Sequence, residues 1–224
     1  MITSVQNPKL KLIRRLLESR RQRDKEGLFV CEGEDLVDAA AEQGIEPVEL
    51  LVAGEDVEPR LIAELSTLAH PPRVVAVFRR DDLPRGTAEL TIALWHVGDP
   101  GNVGTLLRAA DAFGAAVALS PGCADPTGPK ALRASAGAVF RVPVGRFDEA
   151  PRPWIGLVAH GGTLLDQVPR HERMTLVLGA EREGLPPEVV ERCDARATIP
   201  LATHSESLNV AAAGAIALYE ARRR

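Results

Sequence analysis

The sequence predicts an α/β protein of two units, a small one over residues 1–82 and a larger one over 90–224 built on a largely parallel sheet. Three observations predict this. Short apolar runs alternate with amphipathic stretches along the whole chain, the pattern of strands covered by helices on both faces. A polar segment broken by proline and glycine, Arg79-Arg-Asp-Asp-Leu-Pro-Arg-Gly86, separates two such successions. Apolar residues make up 45% and charged residues 26%, as in ordinary globular domains, while aromatics are only 4%. The core must therefore be mostly Ala, Val, Leu and Ile.

Asn7-Pro8 marks a helix entry, and Leu10, Ile13, Leu16 and Leu17 recur at helical spacing in a helix expected to run from Lys9 to Arg23. Strands are expected at Leu28–Cys31, Val48–Ala53 and Arg73–Phe78, with helices at Asp35–Gln43 and Pro59–Ala69 between them. In the second unit the expected strands are Thr91–His96, Ala116–Ser120, Trp154–Ala159, Thr175–Leu178 and Ala197–Ile199. The expected helices are Val103–Phe113, Pro129–Ser135, Pro187–Cys193 and Leu208–Arg222.

The formal net charge of −4 excludes a wholly basic coat, but the charge is uneven. Eight Lys and Arg fall between Lys9 and Lys25, including Lys9, Lys11, Arg14 and Arg15, against Glu18 and Asp24. This is either a solvated helix face or a surface that meets phosphates. Three cysteines without CxxC spacing fit a reducing cytoplasm and no zinc site. The N-terminal stretch has no basic-then-apolar signal pattern, and no apolar run is long enough to span a bilayer.

Three stretches could carry chemistry. Asp99-Pro-Gly-Asn-Val-Gly-Thr-Leu-Leu-Arg108 follows a strand and opens a helix, with Asn102 as a candidate cap and Arg108 about a turn and a half inside. Leu176-Val-Leu-Gly-Ala-Glu-Arg-Glu-Gly-Leu-Pro186 runs from a buried strand through Gly179 into a charged turn, where parallel sheets bind ligands. Ile199-Pro-Leu-Ala-Thr-His-Ser-Glu-Ser-Leu-Asn-Val210 reads as strand end, polar loop and helix start, with Ser205 or Ser207 as candidate cap. Each alone could be an ordinary turn. Between the first two, Lys130-Ala-Leu-Arg-Ala-Ser-Ala-Gly137 carries Arg133 and Ser135 and either lines a polyanion site or is a surface helix. The absence of G-x-G-x-x-G argues against a dinucleotide-dependent oxidoreductase.

Order and spacing are specific where single stretches are not. Asn102-x-Gly104-x-x-x-Arg108, Leu178-Gly-Ala-Glu181-x-x-Gly184-Leu and Ile199-Pro…Ser207-Leu-Asn209-Val resemble the three motifs of the SpoU (TrmH) RNA ribose 2′-O-methyltransferases, of the SPOUT superfamily. Ser4-x-x-Asn7-Pro8-x-x-Lys11 and Phe29-x-x-Glu32-Gly33 resemble that family's ribosomal-protein-like RNA-binding extension. Asp99, Arg182 and Ala211 depart from common family residues but leave the motif residues intact.

The resemblance implies an α/β trefoil knot with its last helix threaded through a loop, a homodimer, and S-adenosylmethionine as cofactor. By resemblance Gly179, Ile199 and Leu208 hold the cofactor through backbone, and Ser207 is a polar contact or only a cap. Arg108 is the implied base. A guanidinium with a pKa above about 12 is better suited to clamp a phosphate and steady a developing alkoxide. Asn209 would orient Arg108 or the ribose, Glu181 would order its loop or pair with Arg108, and Asn102 would hold the substrate side. The extension favours large-subunit rRNA. A tRNA substrate and a non-catalytic RNA-binding module are the alternatives. His96, His160, His171 and His204 match no motif.

Overall fold

Proline at the first helical position gives up no hydrogen bond, and Asn7 just before it accepts from the Lys9 N–H at 2.9 Å. That local chemistry starts α1 (Pro8–Glu18), which buries Leu10, Ile13, Leu16 and Leu17. The single helix expected to reach Arg23 is broken at Ser19. This residue is extended (φ −131°, ψ 116°), and its hydroxyl caps α2 (Arg20–Glu26). Then follow β1 (Leu28–Glu32), α3 (Glu34–Ala41), β2 (Glu49–Val52), α4 (Pro59–Leu65) and β3 (Val74–Arg79). The three strands form an antiparallel sheet in the order β1-β3-β2. The computed structural model describes residues 1–169, 171–202 and 207–223.

The second unit comprises β4 (Leu90–Leu94), α5 (Pro100–Phe113), β5 (Ala116–Leu119), α6 (Pro129–Ser135), β6 (Val144–Arg146), β7 (Trp154–Leu157), β8 (Thr163–Leu164), β9 (Met174–Leu178), α7 (Pro187–Val190), β10 (Ala195–Thr198) and α8 (Val210–Arg223). Its seven strands are all parallel, in the order β6-β5-β4-β9-β7-β10-β8. The expected parallel sheet is present, extended by two edge strands, β6 and β8. They are three and two residues long, too short for alternation to show.

Central strands β4 and β9 are buried along their full length, as parallel strands covered on both faces must be. Beyond β10 the chain returns across the sheet, so that α8 packs on α5 and β9. Gly214 permits this approach: a Cβ there would lie 2.3 Å from Leu106 Cδ2. The expected threading concerns this return, of which residues 203–206 lie outside the described set.

The two units share one apolar cluster. Phe29 and Phe78 of the small sheet meet Phe140 of the larger unit, with ring centroids 6.1 and 5.4 Å away. Arg23 is buried rather than solvated, which corrects its place in the expected basic face. Its Nε donates to Asp125 Oδ2 at 2.7 Å and its Nη1 to the Leu16 carbonyl at 2.6 Å. Arg80, from the segment read as a linker, donates to the same Asp125 oxygen at 2.7 Å and to Thr127 Oγ1 at 2.6 Å. Burial alone would raise the Asp125 carboxyl, but Arg80, the Thr127 hydroxyl and Arg23 outweigh it and hold the group below the usual carboxylate range.

Removing one partner of a buried pair leaves the other charge uncompensated. Asp125→Ala should therefore lower stability by about 3 kcal/mol, read as a drop in chemical-denaturation midpoint. Because the folded-state pKa is depressed, the contribution is fully present above the unfolded value of about 4 and is lost as pH falls through the lower folded value. The gap between wild type and variant should accordingly narrow in acid titration of stability.

Candidate active site

The three candidate stretches converge at the C-terminal ends of β4 and β9. Asp99, not Asn102, is the N-cap of α5: its Oδ1 accepts from the Asn102 N–H at 3.0 Å, and Pro100 follows at the first helical position. The Asp-Pro pair was the sequence signal for this. Asp99 Oδ2 also accepts from Lys130 Nζ at 2.7 Å, and this pairing, with the cap bond, holds the carboxyl below its ordinary range. Asn102, freed from capping, turns its side chain to the other two motifs.

Its amide Nδ2 donates to Glu181 Oε1 at 3.0 Å, and its Oδ1 accepts from Asn209 Nδ2 at 3.1 Å. Glu181 accepts two further bonds, from the backbone N–H of Asp99 at 3.0 Å and of Gly98 at 3.3 Å. Asn209 Oδ1 accepts from the Ala211 and Ala212 N–H groups at 2.9 and 3.3 Å, so Asn209 caps α8. That role was expected of Ser205 or Ser207. Ser205, with Thr203, His204 and Glu206, lies outside the described residues, and Ser207 is exposed just before the helix.

The direction of this chain of bonds is fixed chemically. An ionised carboxylate can only accept, so Asn102 must present its NH₂ to Glu181 and its oxygen to Asn209, whose oxygen then faces the helix. Burial would raise the Glu181 carboxyl, but bonds from Asn102, Asp99 and Gly98 override this and hold it below the ordinary carboxylate range. Glu181 is a fixed anion at the start of α5, where the helix dipole favours negative charge.

Next to this chain lies a cleft of about 250 Å³, bordered by Leu178, Gly179, Glu181, Ile199, Ser207 and Leu208. Gly179 is buried, and a Cβ there would fall 2.0 Å from the Gly184 carbonyl carbon. Only glycine lets the Ala180–Gly184 turn, closed by a 2.9 Å Gly184 N–H to Ala180 carbonyl bond, fold back over the strand end. The walls combine apolar side chains and backbone with the polar Glu181, Arg182, Glu183 and Ser207, a surface suited to a flat, partly apolar ligand carrying a few polar groups.

Arg108 stands apart. It is six residues beyond Asn102 on α5, about 9 Å along the axis and about 120° around it. It is exposed, and among the described residues its guanidinium has no hydrogen-bond or ion-pair partner. Within one chain, Glu181 and Asn209 both contact Asn102, and neither contacts Arg108.

Of the expected RNA contacts, Lys11, Arg14 and Arg15 are exposed on α1, opposite its buried stripe. Lys9 pairs with Glu49 at 2.7 Å. Arg133 donates to Thr67 Oγ1 at 2.8 Å and stays partly exposed. Ser135, expected to meet RNA, is instead fully buried, with its hydroxyl donating to the Leu132 carbonyl at 2.8 Å. It belongs to the packing of α6. Among the described residues no helix is long and apolar enough to cross a membrane, and no cluster of His, Cys, Asp or Glu could hold a metal.

Comparison with known proteins follows this geometry. Residues 89–219 match the SpoU rRNA Methylase family, and residues 7–79 match the MRM3-like substrate binding domain. The 23S rRNA (guanosine(2553)-2′-O)-methyltransferase RlmP of Bacillus subtilis is 31% identical over 99% of this chain and 98% of its own length. The AdoMet-bound rRNA methyltransferase from Sinorhizobium meliloti superposes with a TM-score of 0.88 at 30% identity, covering 99% of this chain and 97% of that one. The SpoU methyltransferase AviRb from Streptomyces viridochromogenes, in complex with AdoMet, gives 0.86 at 28% identity over 97% of this chain and 98% of its own. A protein described by its 2-OH methylation of C/U34 on tRNA, 30% identical with a TM-score of 0.55, covers only 60% of this chain but 94% of its own. With its methylase match spanning more than half the chain and its motif residues gathered at one strand-end cleft, the protein belongs to the SpoU rRNA methylase family.

Proposed function

We propose that this protein is an S-adenosylmethionine-dependent RNA ribose 2′-O-methyltransferase acting in the cytoplasm on large-subunit rRNA. The observation that carries the reading is the union of three motifs, through Glu181, Asn102 and Asn209, beside the Gly179 cleft. The N-terminal unit supports rRNA over tRNA, because the tRNA-directed relative covers only 60% of this chain.

The residues fit the cofactor. Gly179, Ile199 and Leu208 border the cleft and would hold it mainly through backbone, with Ser207 at the rim. When bound, S-adenosylmethionine supplies a methyl carbon already activated by its sulfonium charge. The protein's task is then alignment and exclusion of water. In the hydrogen bonds among the described residues, Asn102 and Asn209 each use one N–H and keep a second. Those N–H groups are positioned to hold ribose oxygens. Glu181, with its depressed pKa and three donors, is a weak base and serves to fix the amides.

Arg108 completes the site as a charged clamp on the phosphate beside the target ribose, steadying the 2′-oxygen as its proton leaves. Its distance from Asn102 within one chain supports a homodimer in which a second copy brings an arginine to the cluster. Ile216 and Tyr219, 41% and 52% exposed, form an apolar stripe on α8, and Tyr219 meets Phe113 of α5 edge-on. Lys11, Arg14 and Arg15, with Arg133, would bind the RNA backbone.

Incubation of deproteinised ribosomal RNA with methyl-labelled S-adenosylmethionine tests the reading. Label should appear in alkali-resistant dinucleotides of the large-subunit RNA; label on a base or on protein contradicts it. Arg108→Lys, which keeps the charge but loses the planar fork, should cut the rate about tenfold or more at neutral pH; full activity would remove the clamp. Gly179→Ala should abolish binding of S-adenosylhomocysteine in calorimetry, since its Cβ collides with the Gly184 backbone.

A further inference from the structure

His96, just past the end of β4, has φ of +52°, and with Ala136 it is one of the non-glycine residues among those described with positive φ. Such a conformation persists in a non-glycine residue only where the surroundings impose it. Three contacts impose it here. The His96 N–H donates to Ser120 Oγ at 3.0 Å. Gly122 leaves room for the ring, since a Cβ there would lie 3.1 Å from the imidazole Cδ2. The imidazole stacks on Trp95 with centroids 4.8 Å apart and planes 2° from parallel.

Trp95 is itself anchored. Its N–H donates to the Leu178 carbonyl at 2.8 Å, one residue before Gly179, and its indole meets Phe147 edge-on at 5.2 Å. The result is a rigid two-ring plate with His96 exposed. It stands two residues before Gly98, whose N–H is held by Glu181. The methyl-transfer chemistry makes no use of it. A histidine present only to cover Trp95 would gain nothing from a strained backbone that glycine would relieve.

We propose that Trp95 and His96 form a stacking platform for an unpaired nucleobase of the RNA substrate, next to the ribose to be methylated. This rests on the RNA-methyltransferase reading and assigns a specificity-determining contact within it. Sequence-selective RNA recognition splays bases out of single-stranded regions and stacks them on aromatic rings, and the His96 ring is exposed and already held in place by Trp95 and Gly122. The imidazole edge can in addition exchange hydrogen bonds with a base edge.

The test measures filter binding and steady-state methylation of deproteinised 23S rRNA, together with calorimetry of S-adenosylhomocysteine, on wild type and three variants. His96→Ala and His96→Gly should each weaken RNA binding and raise KM for RNA at least about fivefold, the scale of one lost base stack. S-adenosylhomocysteine affinity should be unchanged, and His96→Gly should melt no lower than wild type. His96→Phe, which keeps the plate, should bind RNA within about twofold of wild type. RNA affinity unchanged in the glycine variant, or a phenylalanine variant as poor as alanine, would overturn the platform. Wild type that transfers no methyl group to RNA while His96→Ala still weakens RNA binding would overturn the methyltransferase reading and leave the platform standing.

Discussion

Everything at the candidate site depends on one carboxylate. Glu181 gathers the Gly98 and Asp99 N–H groups and the Asn102 amide, and so ties the turn after β9 to the start of α5. Asn102 passes the constraint to Asn209, and Asn209 fixes the start of α8. Since an ionised carboxylate accepts only, one group sets the orientation of two amides and the entry of two helices. A neutral residue at position 181 would loosen the Asn102 amide, while the Ala211 and Ala212 N–H groups would still hold the Asn209 oxygen.

That polar chain requires close backbone approach, and glycine provides it at three places. Gly179 admits the Gly184 backbone, Gly104 admits the Ala131 carbonyl of α6 onto α5, and Gly214 admits Leu106 against α8. Close packing of α5, α6 and α8 then transmits position from the substrate-binding unit to the site. Arg133 on α6 reaches Thr67, and Asp125, in the loop before α6, is gripped by Arg23 and Arg80. The small unit is joined to the larger one by a shared core and a buried ion pair, so α1 stands in a defined relation to the cleft.

Much of this was legible in the sequence. The parallel sheet was readable because β4 and β9 are apolar runs each interrupted only by a threonine, and the site because three motifs fall at strand ends in a specific order. What could not be read was which side chains meet. Asn102 and Ser207 have capping chemistry, but Asp99 and Asn209 do the capping, because several cap-competent residues lay within a few positions and only tertiary contact selects among them. Arg23 looked like its basic neighbours, yet its partner is more than a hundred residues away. Ser135 sat in a polar-looking motif but on the buried side of a seven-residue helix. Ser19 broke α1 through a local serine cap that the hydrophobic periodicity concealed.

The central claim is that Asn102 and Asn209 act as one unit under the control of Glu181. A double-mutant cycle on single-turnover methyl transfer, with Asn102→Ala, Asn209→Ala and the pair together, addresses it directly. The account predicts that the double variant is little slower than the slower single variant, a coupling of about 1 kcal/mol or more. Rate losses that simply multiply would mean that the two amides act independently, and would contradict it.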